Sequence, residues 1–136
     1  MKREIIWNEA FSVGVKILDQ QHQKILDELN KLYSTFDTTS EKEDLAIILN
    51  NLIDYASQHF STEEGLLEKY KYHDLITQRS EHSLYQQKIN GFMQRFEAEG
   101  HAVVLETIGF LADWWMGHIQ GCDKEYSRFL NNNGVF

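Results

Sequence analysis

The stretch LAIILNNLIDYASQHFSTEEGL, residues 45–66, decides the fold of this chain. Its apolar face begins at Leu45, passes through Leu52 and repeats every three or four residues, which is the period of an α-helix. The same face continues through His59 and Glu63, at positions where a packed helix normally carries apolar side chains. The stretch therefore predicts a long helix that packs in a bundle and bears polar side chains near its end.

Three further segments have the same period, and each of their faces also includes polar side chains. The four faces are Leu18, His22, Ile25, Leu29, Leu32 and Phe36; Leu45, Leu49, Leu52, Ala56, His59, Glu63 and Leu66; Leu75, Gln78, His82, Tyr85, Ile89, Phe92 and Phe96; and Val104, Ile108, Leu111, Trp115, His118 and Cys122. Short polar connections separate them, and the chain has no Pro to interrupt a helix. This pattern predicts an all-α fold, an antiparallel up-down-up-down four-helix bundle with an N-terminal arm and a short C-terminal helix over residues 123–130.

Length and charge narrow the class of protein. The chain has 136 residues, so we expect one domain over residues 1–136. Its formal net charge of −8 argues against nucleic acid or a membrane surface as partner, because both are anionic. One Cys cannot form an internal disulfide, and no segment has the ~18 apolar residues of a membrane span. We therefore expect a cytoplasmic protein, and nothing in the sequence identifies a protein partner.

The polar residues on the four faces should meet in one layer of the bundle. In an antiparallel arrangement the starts of the first and third helices lie beside the ends of the second and fourth. The side chains expected in this layer are His22, His59, Glu63, Gln78, His82 and His118. The two remaining histidines, His73 and His101, fall outside it.

Four imidazoles and a buried carboxylate indicate a metal site. A lone core histidine is more often a hydrogen-bonded core residue than a ligand, but a buried carboxylate without a basic partner needs a cation. Imidazole and carboxylate without thiolate suit iron, manganese or zinc. The set exceeds the four ligands of a tetrahedral zinc, so two metal ions bridged by carboxylate would use it fully.

Several segments also resemble a known family. The runs DQQH at 19–22, HFSTEE at 59–64 and HIQGCDKEY at 118–126 resemble the bacteriohemerythrins of the hemerythrin family, and Trp7 and SVGV at 12–15 fit the same pattern. The resemblance covers nearly the whole chain. It implies two iron ions in an oxo- or hydroxo-bridged non-haem centre, with O₂ or another small diatomic molecule as ligand, bound reversibly for storage, delivery or sensing.

The resemblance also implies a set of metal ligands. They are His22, His59, Glu63, Gln78, His82, His118 and Asp123. His22 and His59 would hold one iron, and a Glu and an Asp would bridge the pair. Gln78 departs from the family pattern, which has a histidine there. Because an amide oxygen is a weaker donor than imidazole, we expect the metal on that side to be held less tightly.

Asp123 is assigned as a ligand mainly by the resemblance. It lies five residues after His118, about 140° around an ideal helix, so periodicity alone would not select it. Gly117 and Gly121 are expected to loosen the helix end enough to turn Asp123 inward.

An apolar pocket for O₂ is the remaining implication of the resemblance. The residues expected to line it are Ile25, Phe60, Trp114, Trp115 and Ile119. Apolar walls protect bound O₂ because they exclude water and protons. The family usually has Leu at the position of Trp115, and both a gating role and simple core packing are open for this side chain.

Two alternative functions are also open from the sequence. An oxidase or peroxidase-like enzyme would use a coordination position that Gln78 leaves free. A non-catalytic module would hold a single metal ion at a degraded site and act through partner contacts. Of these classes, we expect an O₂-binding protein rather than an enzyme, with no catalytic residues.

Overall fold

A computed structural model describes residues 5–38 and 41–136, apart from the side chains of residues 122 and 123. Its helices are α1 (Lys16–Thr38), α2 (Lys42–Lys69), α3 (Leu75–Glu99), α4 (His101–His118) and α5 (Lys124–Asn132). A 3₁₀ turn, Glu9–Phe11, precedes α1, and a π-helical segment, Ile119–Asp123, joins α4 to α5. The predicted all-α fold is confirmed.

The four long helices form the predicted antiparallel bundle. Helix α1 packs against α2 and α4, and α3 packs against the same two helices. Gly100 alone connects α3 to α4, with a φ of +61° that a residue without a Cβ adopts readily. The starts of α1 and α3 therefore lie beside the ends of α2 and α4.

The apolar faces are buried almost as their spacing predicts. A main core lies between the four helices and includes Leu32, Leu52 and Phe96. The exceptions are Phe36, Leu66 and Leu75, which are only half-buried, and at the end of α2 the neighbouring Leu67 is fully buried instead of Leu66. Among the described residues, no helix combines the length and apolar character that crossing a membrane requires.

A second, smaller core closes one end of the bundle. Its buried members are Val13, Val15, Leu18, Leu67, Tyr72, Tyr126 and Leu130. On α1, Leu18 belongs to this small core and Ile25 to the main core, so His22 lies between the two. The predicted polar layer is thus covered on both sides by apolar packing.

The N-terminal arm and α5 hold this end together. Asp19 accepts hydrogen bonds from Ser12 Oγ at 2.6 Å and from Val13 N at 2.8 Å, which fixes the start of α1. Asn131 Nδ2 of α5 donates to the Gly14 carbonyl at 3.0 Å. Gly14 has a φ of +70°, which favours glycine, and a Cβ there would also stand 3.1 Å from Asn131 Oδ1.

Candidate metal centre

Five polar side chains meet in the covered layer of the bundle. Helix α1 contributes His22, α2 contributes His59 and Glu63, α3 contributes His82 and α4 contributes His118. All five are buried, and the most accessible of them is only 4% exposed. The structure therefore brings together five of the six side chains that the four helical faces predict for this layer, all except Gln78.

The first group of candidate ligands joins α1 to α2. One donor atom from each of His22, His59 and Glu63 lies within 4.8 Å of the others. The Nε2 atoms of His22 and His59 are 2.9 Å apart, and His59 Nε2 is 2.8 Å from Glu63 Oε2. These three buried donor atoms are close enough together to bind one metal ion.

The second group joins α2, α3 and α4. It consists of Glu63, His82 and His118, again with donor atoms within 4.8 Å of one another. Glu63 Oε1 is 2.9 Å from His82 Nε2 and 3.5 Å from His118 Nε2, and the two imidazole nitrogens are 3.3 Å apart.

Glu63 is common to both groups and divides its oxygens between them. Oε2 faces His59 of the first group and accepts a 2.9 Å hydrogen bond from the Tyr126 hydroxyl. Oε1 faces the imidazoles of the second group. Burial alone would raise the pKa of the Glu63 carboxyl, but the imidazoles around it, first that of His59, hold its pKa well below the ordinary value.

The neutral amide of Gln21 orients the His59 ring through Nδ1, the nitrogen farther from Glu63. Gln21 Nε2 donates to Thr62 Oγ1 at 3.0 Å, and that hydroxyl donates to a backbone carbonyl one turn earlier in α2. The amide oxygen of Gln21 therefore faces His59 Nδ1, at 2.9 Å. With its hydrogen on Nδ1, His59 has the lone pair of Nε2 available for a metal ion held beside Glu63.

A charged side chain does the same for His82. Glu64 Oε2 lies 2.7 Å from His82 Nδ1, so this nitrogen is a donor and Nε2 faces the second group. Arg79 contacts the other oxygen of Glu64 at 3.3 Å and Glu68 at 2.9 Å. The donor set of the layer thus fits metal binding in its orientation as well as its chemistry.

Three large aromatic side chains cover the two groups. Phe60 stacks on His82, with ring centroids 3.9 Å apart, and on Trp115 at 5.6 Å. Trp115 is fully buried and lies 5.7 Å from the His59 ring, while Trp114 stacks on His118 at 4.3 Å. Ile25 and Ile119, also predicted for the pocket, are fully buried members of the main core.

The remaining predicted ligands lie close to this layer. Gln78 is buried on α3, one turn before His82, and its role as a ligand stays a prediction. The side chain of Asp123 is outside the described part of the structure. Its backbone ends the π-helical segment after His118, whose wider turn reduces the angle between successive residues and so makes the offset between positions 118 and 123 smaller than in an α-helix.

Both histidines that were predicted to be bystanders lie away from the layer. His73 is exposed in the connection between α2 and α3. His101 is half-buried and stacks on Phe36 at the opposite end of the bundle, with ring centroids 4.3 Å apart.

The sequence did not single out Gln21, Thr62 or Arg79. Gln21 precedes His22 in the chain, yet it contacts a histidine on the next helix. The only signal for such residues is a polar side chain beside a helix face, and that pattern is common on any solvated helix.

A four-helix bundle that places two pairs of imidazoles around one buried carboxylate is typical of helical proteins that bind cations. Residues 13–130 match the family described as Hemerythrin HHE cation binding domain. The chain belongs to this family. The family description names cation binding, and membership of this family confirms the expectation of a binding protein rather than an enzyme.

Individual relatives agree with the family. A bacteriohemerythrin from Methylococcus capsulatus is 32% identical over 92% of this chain and 95% of its own length. One from Pseudomonas aeruginosa is 31% identical, covering 90% of this chain and 78% of its own. The crystal structure of a wild-type hemerythrin, 31% identical, superimposes with a TM-score of 0.85 over 93% of this chain and 97% of the other.

Proposed function

We propose that this chain binds two iron ions and, through them, O₂ reversibly. The observation that carries the proposal is the division of Glu63, with one carboxylate oxygen facing each group of imidazoles. His22 and His59 would hold one ion, and His82 and His118 the other. Two iron ions held by these residues would supply the electrons for O₂ binding and regain them when O₂ is released.

Further ligands complete the proposed coordination. Gln78 would add its amide oxygen to the group on α3 and α4, and Asp123 would add a second carboxylate to the site. The proposal for Gln78 is supported by its burial one turn before His82. That for Asp123 is supported by the π-helical turn after His118.

Other side chains of the protein would orient the metal ligands and exclude water from the site. Gln21 and Glu64 hold hydrogens on the outer nitrogens of His59 and His82, so that the inner nitrogens are lone-pair donors. The Tyr126 hydroxyl donates to Glu63 and fixes its rotamer. The aromatic side chains exclude water from the layer, which slows the loss of electrons and protons that would end reversible binding.

Iron content and an optical spectrum test the proposal directly. The full chain is loaded with Fe²⁺ without oxygen, exposed to air and then deoxygenated. We expect two irons per chain and charge-transfer absorption that appears in air and disappears on deoxygenation. Less than one iron per chain, or a spectrum that does not change with O₂, would refute the proposed function.

Replacing Trp115 by Leu should speed the binding of O₂ several-fold. Trp115 is fully buried between the imidazoles of the first group and the ring of Phe60. A smaller side chain opens space beside His59, and the lost packing should cost about 2–4 kcal/mol of folding stability. Stopped-flow mixing of the reduced, iron-loaded protein with O₂ measures the rate.

Trp115→Phe is the matched control. It keeps an aromatic ring but removes the 3.2 Å hydrogen bond from Trp115 Nε1 to the Tyr85 hydroxyl. We expect its O₂ rate to stay near that of the parent chain. Equal rates for the Leu variant and the parent would show that Trp115 only packs the core.

A further inference from the structure

The two histidines at the centre of the layer are supported by side chains of different charge. Behind His59 stands the neutral amide of Gln21, and behind His82 stands the carboxylate of Glu64. Glu64 contacts His82 on α3, the helix that also carries Gln78 in place of the histidine of the family pattern. This asymmetry affects how tightly each metal ion is held, a conclusion that rests on the proposed function.

We propose that Glu64, anchored by Arg79, is a positioning residue that strengthens His82 as a metal ligand and so compensates for the weaker amide of Gln78. Glu64 is the residue after Glu63, so helix geometry turns its side chain away from the centre and toward the outer nitrogen of His82. The two sequential carboxylates thus contact the two opposite nitrogens of one imidazole, Glu63 at Nε2 and Glu64 at Nδ1.

The contact between Glu64 and His82 is short and well supported. At 2.7 Å, the Nδ1–Oε2 distance is that of a charge-assisted hydrogen bond. The Glu64 side chain is 27% exposed while that of His82 is only 4% exposed, so the bond is partly shielded from water. Arg79 occupies the other oxygen, Oε1, and therefore fixes the carboxylate plane without competing for Oε2.

The chemistry of the support explains how it can offset a lost imidazole. A carboxylate that accepts the outer hydrogen of a histidine pushes electron density toward the inner nitrogen and makes it a better donor. The amide support of His59 fixes orientation as well, but it adds no charge. One strengthened imidazole can therefore replace part of the affinity that a neutral amide at Gln78 fails to provide.

Glu64→Gln tests the support because it keeps the shape and one acceptor oxygen but removes the charge. The matched control is Glu68→Gln, which removes the charge of the other carboxylate that contacts Arg79, at 2.9 Å, and does not touch His82. Each iron-loaded full chain is mixed with a ferrous chelator, and iron release is followed together with the charge-transfer spectrum.

We expect one of the two irons to leave Glu64→Gln about 10–100-fold faster, with a shift in the absorption bands, while the other iron is released as in the parent chain. Glu68→Gln should match the parent in both readouts. Identical release and spectra for the two variants would overturn the proposal. Acceleration of both irons together would also overturn it, because this would indicate a general loosening of the fold.

Gln78→His tests the compensation itself. In a double-mutant cycle, Glu64→Gln should accelerate release much less in the Gln78→His background, since a third imidazole then supplies the missing donor. An equal acceleration in both backgrounds would refute compensation. Failure of the proposed function is distinct, because the parent chain itself would then bind less than one iron or give a spectrum that does not respond to O₂, whereas failure of this inference leaves the parent chain unaffected and Glu64 irrelevant to its irons.

Discussion

Replacing Glu63 by Gln should abolish stable binding of both iron ions. Among the described side chains, Glu63 is the only one that belongs to both groups of candidate ligands. Gln has nearly the same volume and can still accept the hydrogen bond from Tyr126, so the change removes the negative charge more than the packing. Without that charge, two cations would lose the only anionic ligand that belongs to both groups of imidazoles among the described side chains, which is costly in a low-dielectric interior.

The measurement is iron per chain after loading and desalting, with circular dichroism to confirm that the helices are intact. We expect a fall from about two irons to well below one, in line with the large cost of removing an anionic ligand. Glu97→Gln is the control, since Glu97 is an exposed acid at the other end of the bundle. Retention of two irons by Glu63→Gln would contradict a bridging role for this carboxylate.

Most of the fold could be predicted because it follows from the helical spacing of the apolar residues. Apolar side chains three and four residues apart can be buried together only if the segment is helical, and short connections force neighbouring helices to be antiparallel. The same reasoning places His22, His59, Glu63, His82 and His118 at one height. Their convergence in the structure follows from the register of the helices, which the apolar faces already specify.

What the sequence could not supply depends on departures from that period. The change from α4 to a π-helix after His118 alters the angle between successive side chains, and an ideal helix gives no warning of it. The contacts of Gln21 and Glu64 with histidines on other helices depend on side-chain rotamers and interhelical distance. Neither quantity can be read from spacing along one helix.

The contacts of Trp114 could not be predicted from the resemblance alone. It was expected to line one O₂ pocket together with Trp115. In the structure the two rings are in edge-to-face contact, with centroids 4.9 Å apart, but they contact different imidazoles, since Trp115 lies beside His59 and Trp114 stacks on His118. The aromatic cover therefore extends over both groups, and Phe60 is the ring that contacts His82 and Trp115 at once.

Replacing Phe60 by Ala should therefore damage both stability and the protection of bound O₂. Phe60 is buried and its ring lies against those of His82, Tyr85 and Trp115. Truncation leaves a cavity in the aromatic cover, which should cost about 3–5 kcal/mol in the free energy of unfolding. Because this cavity adjoins polar ligands, water can enter it, whereas a purely apolar cavity stays dry.

Phe96→Ala separates these two effects. Phe96 is equally buried in the main core at the far end of α3, so its truncation should cost a similar ~3–5 kcal/mol without exposing the polar layer. We expect the oxygenated spectrum of Phe60→Ala to bleach irreversibly about tenfold faster than that of Phe96→Ala, which corresponds to ~1.4 kcal/mol of barrier. Equal bleaching rates in two equally destabilised variants would mean that global opening, rather than the ring of Phe60, controls access of water to the site.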